Sequence, residues 1–375
     1  MKKQIQVILA MIFAICIMTI CVNDRVSAKA KKKVIGNFKY QYMVTKEGTW
    51  ITKITPLSDK GIEILVVPKK LGGKNVIKIG AKGDSSSASE KPNMFGVKYS
   101  RNDDGTYEPQ EIYDRVEKIK KICLPDTVQE MTWQCFDDIP YGKQINIPKS
   151  LVSDQIDNFV FRKWDKLTVS PNNPKYKVKN SCLLSKNGKI LYGFVHEKKK
   201  ITVPKTVVRM AGSFGYEGAK TIILPQSLKK IDGFSTDNYV RIIVAKGNKK
   251  FGSEYGCVYD KKTKKLLFAG AYKGVLQIPN KVQYVGEYGN FGKMPKKIIC
   301  HSQVKELRLS SYYSKLTCVM SGKKPPRLLA KNLLLNELKV FVPKGCKRAY
   351  EKEWSNVLSE ETSEETKLII KEKEG

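Results

Sequence analysis

Residues 201–210 read Ile-Thr-Val-Pro-Lys-Thr-Val-Val-Arg-Met, and residues 222–231 read Ile-Ile-Leu-Pro-Gln-Ser-Leu-Lys-Lys-Ile. Both write one frame: apolar, any, apolar, Pro, any two, apolar, any two, apolar. Alternation before the proline predicts a short strand with one buried face. Proline lacks an N–H, so ladder pairing should stop there. The apolar positions three and six beyond it are expected to line a turn that folds back onto the stack. No such unit can bury its apolar face alone, so it needs neighbours of the same kind.

Working outward, the frame returns as Ile122, Leu124, Pro125, Val128, Met131 and as Leu276, Ile278, Pro279, Val282, Val285. Ile298, Cys300, His301, Val304 and Leu307 repeat it with histidine in the proline position, and partial copies surround Pro68, Pro148 and Pro343. The interval is 23 from Pro125 to Pro148, 21 from Pro204 to Pro225 and 22 from Pro279 to His301, with gaps of 56 and 54 between those pairs. A double repeat of 75–79 residues follows, a short unit and then a long one. Asn173, Tyr176, Cys182 and Leu183 recur 75 positions later as Asn248, Phe251, Cys257 and Val258. Two landmarks sharing one period mark a stacked array. The segments about 182–194 and 257–268 read as hairpin inserts, the first with a two-residue Asn187-Gly188 turn. Phe136, Phe214, Phe234 and Phe291 are expected to fill the space behind the strands.

Both ends depart from the frame. Lys2 and Lys3 precede an almost unbroken apolar run, Ile5 to Ile20, and then the small-residue sites Val26-Ser27-Ala28 and Ala28-Lys29-Ala30. That is the order of an export signal, assigned to residues 1–28. In 29–60, Phe38, Tyr40, Tyr42 and Val44 alternate before Glu47-Gly48 and Trp50 to Ile54 follow, a β-hairpin cap. The array is expected over 61–342, broken by a polar, Ser-rich loop at about 84–114. Tyr350 and Trp354, four apart, predict a short helix in a C-terminal cap at 343–358. A charged, frayed tail is expected over 359–375.

These residues resemble the BspA-like branch of the leucine-rich repeat family of bacterial surface and secreted proteins. The carriers are Val66-Val67-Pro68 with Leu71-Gly72-Gly73-Lys74, Val76 and Ile79-Gly80, the proline-centred cores, and Val342-Pro343-Lys344-Gly345 with Tyr350 and Trp354. The resemblance covers roughly residues 36 to 355. It implies an extracellular place and adhesion or protein binding, with no shared ligand and no catalytic residues. The chain departs from the pattern at Asp154, where an apolar residue is wanted, at His301, and over Ser213 to Gly218.

The fold class expected is therefore mainly β: a leucine-rich-repeat solenoid of irregular double repeats with an N-terminal β-hairpin cap and a short C-terminal helix. Enzyme chemistry finds little footing. The two histidines, His196 and His301, lack a partner: Val195-His196-Glu197-Lys198 has no second histidine of a zinc site, and His301 sits in a repeat frame. Ser213 lies in Gly212-Ser213-Phe214-Gly215, which misses nucleophile-turn spacing. Cys300 and His301 are adjacent and would face opposite sides of a strand. Leu71-Gly72-Gly73-Lys74 reads as a repeat turn, not a phosphate loop. The cysteines beyond residue 28 number seven, with no CxxC, and read as buried apolar side chains. No catalytic, cofactor or metal residue is nominated, and no ligand-binding residue can be named.

Lys and Arg number 69 against 36 acids, a net charge of +33 spread along the chain. The clusters Lys31-Lys32-Lys33, Lys198-Lys199-Lys200 and Lys261 to Lys265 read as solvated loops. Export argues against nucleic acid as the partner, and no segment after residue 28 is long and apolar enough to span a bilayer. The expected function is non-catalytic recognition of an extracellular protein or glycan. The alternative is a basic envelope protein held on an anionic wall polymer by charge alone. A hydrolase would require a pocket with converging acids, expected near Tyr192 and Phe268.

Overall fold

The computed structural model describes residues 29–80, 94–97, 99–101, 107–109, 112–132, 135–136, 138–139, 142–152, 164–194, 198–211, 219–232, 240–270, 274–286, 295–310, 313–331, 335–361 and 366–373. The export signal, His196, Ser213, Asp154, Phe214, Phe234 and Phe291 lie outside them.

The strand before each proline joins a parallel front sheet. Its ladders are Ile64–Val66, Lys121–Cys123, Gly142–Ile147 and Trp164–Val169; then Lys200–Thr202, Thr221–Leu224 and Arg241–Val244; then Val275–Gln277, Lys297–Cys300, Tyr313–Met320, Leu335–Val342 and Lys367–Glu372. The register aligns the frame coil on coil: Ile201 faces Ile222 and Ile222 faces Ile242, all buried. Past the strand, the proline carbonyl accepts the N–H three residues on, at 3.1 Å for Val128, 3.0 Å for Val207 and 2.9 Å for Val282. A residue that cannot continue the ladder thus closes the turn that leaves it.

That turn leads into a second sheet, where sequence reading expected only a fold-back. The residues five and six past the proline form two-residue strands, Arg209–Met210, Lys230–Ile231 and Tyr284–Val285 among them, that pair in parallel between coils. Two residues are too few to show a period of two, so periodicity cannot announce them.

The register also divides the long unit. Ile145 pairs with Leu167, and Ile222 with Ile242, so each 75–79-residue period holds a further front strand with no proline. Ser170 and Ala245 stand in the proline's place, and their carbonyls accept from the N–H of Asn173 and Asn248, at 2.9 and 3.1 Å.

The inserts that follow are three-stranded antiparallel sheets, Tyr176–Lys179 with Cys182–Ser185 and Ile190–Phe194, and Phe251–Glu254 with Cys257–Asp260 and Leu266–Phe268. The two-residue turns are Asn180-Ser181 and Tyr255-Gly256, all four residues at positive φ as a type I′ hairpin requires. Asn187-Gly188 instead lies in a longer connection between Ser185 and Ile190, where only Gly188 has positive φ and Asn187 Oδ1 accepts from Lys189 N–H. Tyr255, at φ 52°, is a bulky residue in a region that disfavours it. Tyr255→Asn, the residue at the matching position 180, should raise stability by about 1 kcal/mol; an unchanged or lower denaturant midpoint would contradict this.

Both insert strands Cys182–Ser185 and Cys257–Asp260 are buried on both faces. Leu183 belongs to the first of three apolar clusters and Cys182 and Leu184 to the second; Val258 belongs to the second and Cys257 and Tyr259 to the third. The clusters are thus joined by strands that face two ways.

At the N-terminus the hairpin Phe38–Val44 and Thr49–Pro56 gains a third strand, Lys31–Ile35. Lys31-Lys32-Lys33 is therefore an edge strand, where lysines discourage further pairing, and not a loop. Within the polar segment expected as a mobile loop, Met94, Phe95 and Val97 are buried, with the Phe95 ring 6.2 Å from that of Phe136. A hairpin, Tyr99–Arg101 with Tyr107–Pro109, and helix α1 (Ile112–Val116) follow. At the other end helix α2 (Lys347–Glu361) buries Tyr350 and Trp354, whose rings meet edge-on at 5.4 Å. The tail beyond 365 is not frayed: Lys367–Glu372 adds the last front strand, with Ile370 buried beside Val340. Its Lys-Leu-Ile-Ile-Lys core was masked by flanking charge.

Candidate functional site

In each front strand the central residue points inward, and its two neighbours point out. Register turns those neighbours into two rows along the stack. One row is Ile64, Lys121, Gln144 and Lys166, then Lys200, Thr221 and Arg241, then Val275, Lys297, Thr317, Lys339 and Ile369. The adjacent row carries Val66 and Cys123, then Asn146 and Thr168, then Thr202, Ile223 and Ile243, then Gln277, Ile299, Val319, Phe341 and Lys371. The first row is therefore rich in cations with an aliphatic residue opening two of its ladders, and the second mixes aliphatic with short polar side chains, successive coils lying about 4.8 Å apart. The exposed aliphatic side chains fall in both rows: Val66, 60% exposed, in the second, and Ile64 and Val275, 52% and 45% exposed, in the first beside Lys121 and Lys297.

Where the middle ladder turns at its prolines, an open groove of about 610 Å³ crosses three coils. Its floor includes Val203, Ile223, Leu224 and Pro225, and its rim includes Lys205, Lys229, Lys249 and Lys250. No carboxylate lines it.

Two staples fix these lysine-bearing turns. Ser227 Oγ donates towards the carbonyls of Lys205 and Val207, at 2.6 and 2.7 Å. Asn248, buried, donates from Nδ2 to the carbonyls of Pro225 and Leu228, both at 3.0 Å. Its Oδ1 accepts from the N–H groups of Lys250 and Phe251, at 2.9 and 2.8 Å. Asn173 makes the same four bonds one period earlier, to Pro148, Leu151, Lys175 and Tyr176. Lys250 Nζ lies 5.4 Å from the Phe251 ring centre, which steadies it at the rim.

The structure places the sequence-nominated residues elsewhere. His301 Nε2 is 3.0 Å from the Pro279 carbonyl of the preceding coil, a structural tie in the proline's place. Phe268 is buried and Tyr192 packs edge-on against Tyr176 at 5.3 Å, so neither lines the groove. Gly72-Gly73 forms a positive-φ turn, and Lys74 Nζ donates to the carbonyls of Thr45 and Lys46, both at 2.9 Å. Lys261 to Lys265 is a tight turn rather than a loose loop: Asp260 Oδ1 accepts from the N–H of Lys262 and Thr263, and Lys261 Nζ donates to the Asn248 carbonyl. Asp232 is held below its ordinary carboxylate value: burial pushes it up, but hydrogen bonds from Lys230 and Arg209, at 2.8 and 2.6 Å, outweigh that. Among the described residues no group of three or more His, Cys, Asp or Glu is placed to hold a metal ion.

All seven described cysteines are free thiols, and burial pushes Cys182, Cys257 and Cys300 up to about 12. Cys123 alone of the seven is half-exposed, on the second outward row. In the chain from residue 29, native alkylation should modify one thiol quickly, at Cys123, and the other six only on unfolding. Two or more fast thiols would contradict this burial.

These stacked coils, with their repeated turns and front ladder, define a β-solenoid. No family model matches the chain and no curated protein is a match. Among solved structures it is similar to the pneumococcal vaccine antigen PcpA, at 12% identity over 91% of this chain and 98% of that one, with a TM-score of 0.32. It is also similar to a leucine-rich cell surface protein of Faecalibacterium prausnitzii A2-165, at 11% identity over 93% and 97%, TM-score 0.38. A leucine-rich repeat protein of Eubacterium ventriosum ATCC 27560 matches at 16% identity over 84% and 79%, TM-score 0.26. No helix among the described residues is long and apolar enough to cross a membrane.

Proposed function

We propose that this chain is an exported, non-catalytic recognition protein whose front sheet is the contact surface for an extracellular protein or glycan. The observation that carries it is the pair of outward rows held in register along the stack, one rich in lysine and arginine and both bearing exposed aliphatic side chains. Exposed aliphatic side chains set among cations suit a partner with both apolar and anionic surface, and a solenoid presents them with little ordering cost on binding.

The excess of 69 basic over 36 acidic residues favours a second reading, retention on an anionic wall polymer by charge alone. Salt separates the two. Purified protein would be screened against arrays of extracellular proteins and glycans, and against wall polymer, at low and high salt. Front-face recognition should survive high salt in part and should fall at least tenfold in Ile64→Ser/Val66→Ser/Ile243→Ser, three exposed apolar positions. Binding that vanishes with salt and ignores these substitutions would favour charge alone.

A further inference from the structure

We propose that the groove across the middle ladder is a binding site for a sulfated polysaccharide segment, a reading that rests on the front sheet being the contact surface. Four lysines from successive coils rim it, and no carboxylate faces in. Among the described residues Lys205, Lys229 and Lys249 have no ion-pair partner, so their charge is free for a ligand. Lys78, Lys143 and Lys230 are paired with Glu130, Asp165 and Asp232, but with 69 basic against 36 acidic residues many lysines are not, so the groove is set apart by gathering four of them around one apolar strip.

The floor chooses among anions. Val203, Ile223, Leu224 and Pro225 form an apolar strip in the same groove. A pyranose ring has an apolar C–H face to lay on such a strip while its sulfates reach the rim. A polyol phosphate chain has the charge but no such face. Lysine suits this ligand, since an ammonium is a compact point charge that does not demand the paired oxygens of a fork-like contact. The groove volume, about 610 Å³, falls within the range of roughly 300–1,000 Å³ usual for ligand sites.

The rim is also set in advance. The Ser227 hydroxyl binds the turn of Lys205 to its neighbour, and Asn248 holds the backbone of Lys250 while tying it to Pro225 and Leu228. Gly247, at φ 90°, leaves room beside the Gln226 side chain at the mouth. Turns whose backbone is already stapled lose less freedom when a ligand arrives. Solvated lysines on loose loops would have none of this support.

The test is calorimetric titration of the chain from residue 29 with a sulfated hexasaccharide, its desulfated counterpart and a glycerol phosphate oligomer of equal charge. The groove variant is Lys205→Gln/Lys229→Gln/Lys249→Gln/Lys250→Gln. A remote variant, Lys69→Gln/Lys149→Gln/Lys323→Gln/Lys344→Gln, removes the same charge from other exposed positions. The sulfated ligand should bind the parent, with the groove variant weakened at least tenfold and the remote variant less than about threefold. Desulfation should abolish binding, and glycerol phosphate should bind at least tenfold more weakly. Equal losses in both variants would reduce the effect to diffuse charge and overturn the proposal, as would glycerol phosphate binding as tightly as the glycan. If the groove variant keeps every interaction while Ile64→Ser/Val66→Ser/Ile243→Ser loses them, the groove proposal fails and the front-face reading stands. Absence of binding to any glycan or protein probe would overturn both.

Discussion

Replacing Asn248 with leucine should destabilise the protein by on the order of 4 kcal/mol, measured by chemical denaturation, although apolar residues fill the same position in the proline-bearing coils. Val207, Leu228 and Val282 stand three past their prolines and need only a backbone N–H to close the turn. Asn248 stands three past Ala245 and does more: its amide satisfies two carbonyls of the preceding coil and two N–H groups of its own. Leucine would leave these groups buried without partners, at about 1–3 kcal/mol for each one that water cannot reach. Asn173→Leu should behave alike, because it makes the same four bonds. Val282→Leu, a volume change in an apolar setting, should cost under about 1.5 kcal/mol. Similar losses at Asn248 and Val282 would mean that the amide is incidental.

Trp354→Ala should cost about 3–5 kcal/mol, the usual penalty for emptying a buried aromatic site. The ring is fully buried in the last apolar cluster, against Tyr350. Its Nε1 donates to the Pro326 carbonyl at 2.9 Å, and Tyr350 donates to the Gly322 carbonyl at 2.8 Å. Both bonds fasten α2 over the final coils, where an open array would otherwise expose its apolar end. Trp354→Phe keeps most of the packing and loses the donor, so it should cost about 1–3 kcal/mol. Hydrogen exchange should show the loss first in Leu335–Val342 and Lys367–Glu372. A loss spread evenly to the N-terminal coils would contradict a local cap.

Much of this architecture is legible from residue types. Pro125, Pro204 and Pro279 announce where ladder pairing ends, because no other residue lacks the donor. Asn173 and Asn248 stand out as twins 75 apart, and Tyr350 and Trp354 as a helical pair. Other parts are silent for physical reasons. Ser170 and Ala245 do a proline's work with ordinary backbone, so the coils they close hide inside the long units. The positive φ at Ser181 and Tyr255 contradicts their side-chain preferences, while Asn187-Gly188 advertises a hairpin that does form, its connection longer than two residues and braced by the Ser185 hydroxyl on Asn187. The groove is least visible of all: Lys205, Lys229, Lys249 and Lys250 are four among many lysines until the register gathers three coils at one edge.

The central claim is that each coil borrows its apolar cover from the next, so a whole period is a removable part. Deleting residues 201–275 joins Lys200 to Leu276, which stands where Ile201 stood, and brings Ile190–Phe194 beside Tyr284–Val285 in place of Arg209–Met210. The shortened chain should be soluble, keep its strand signal per residue in circular dichroism, and unfold in a cooperative transition. Deleting 201–265 instead joins the coils out of step and should yield an unfolded or aggregated product. If the in-step deletion unfolds as fully as the out-of-step one, the coils are not interchangeable neighbours, and the account of the fold is wrong.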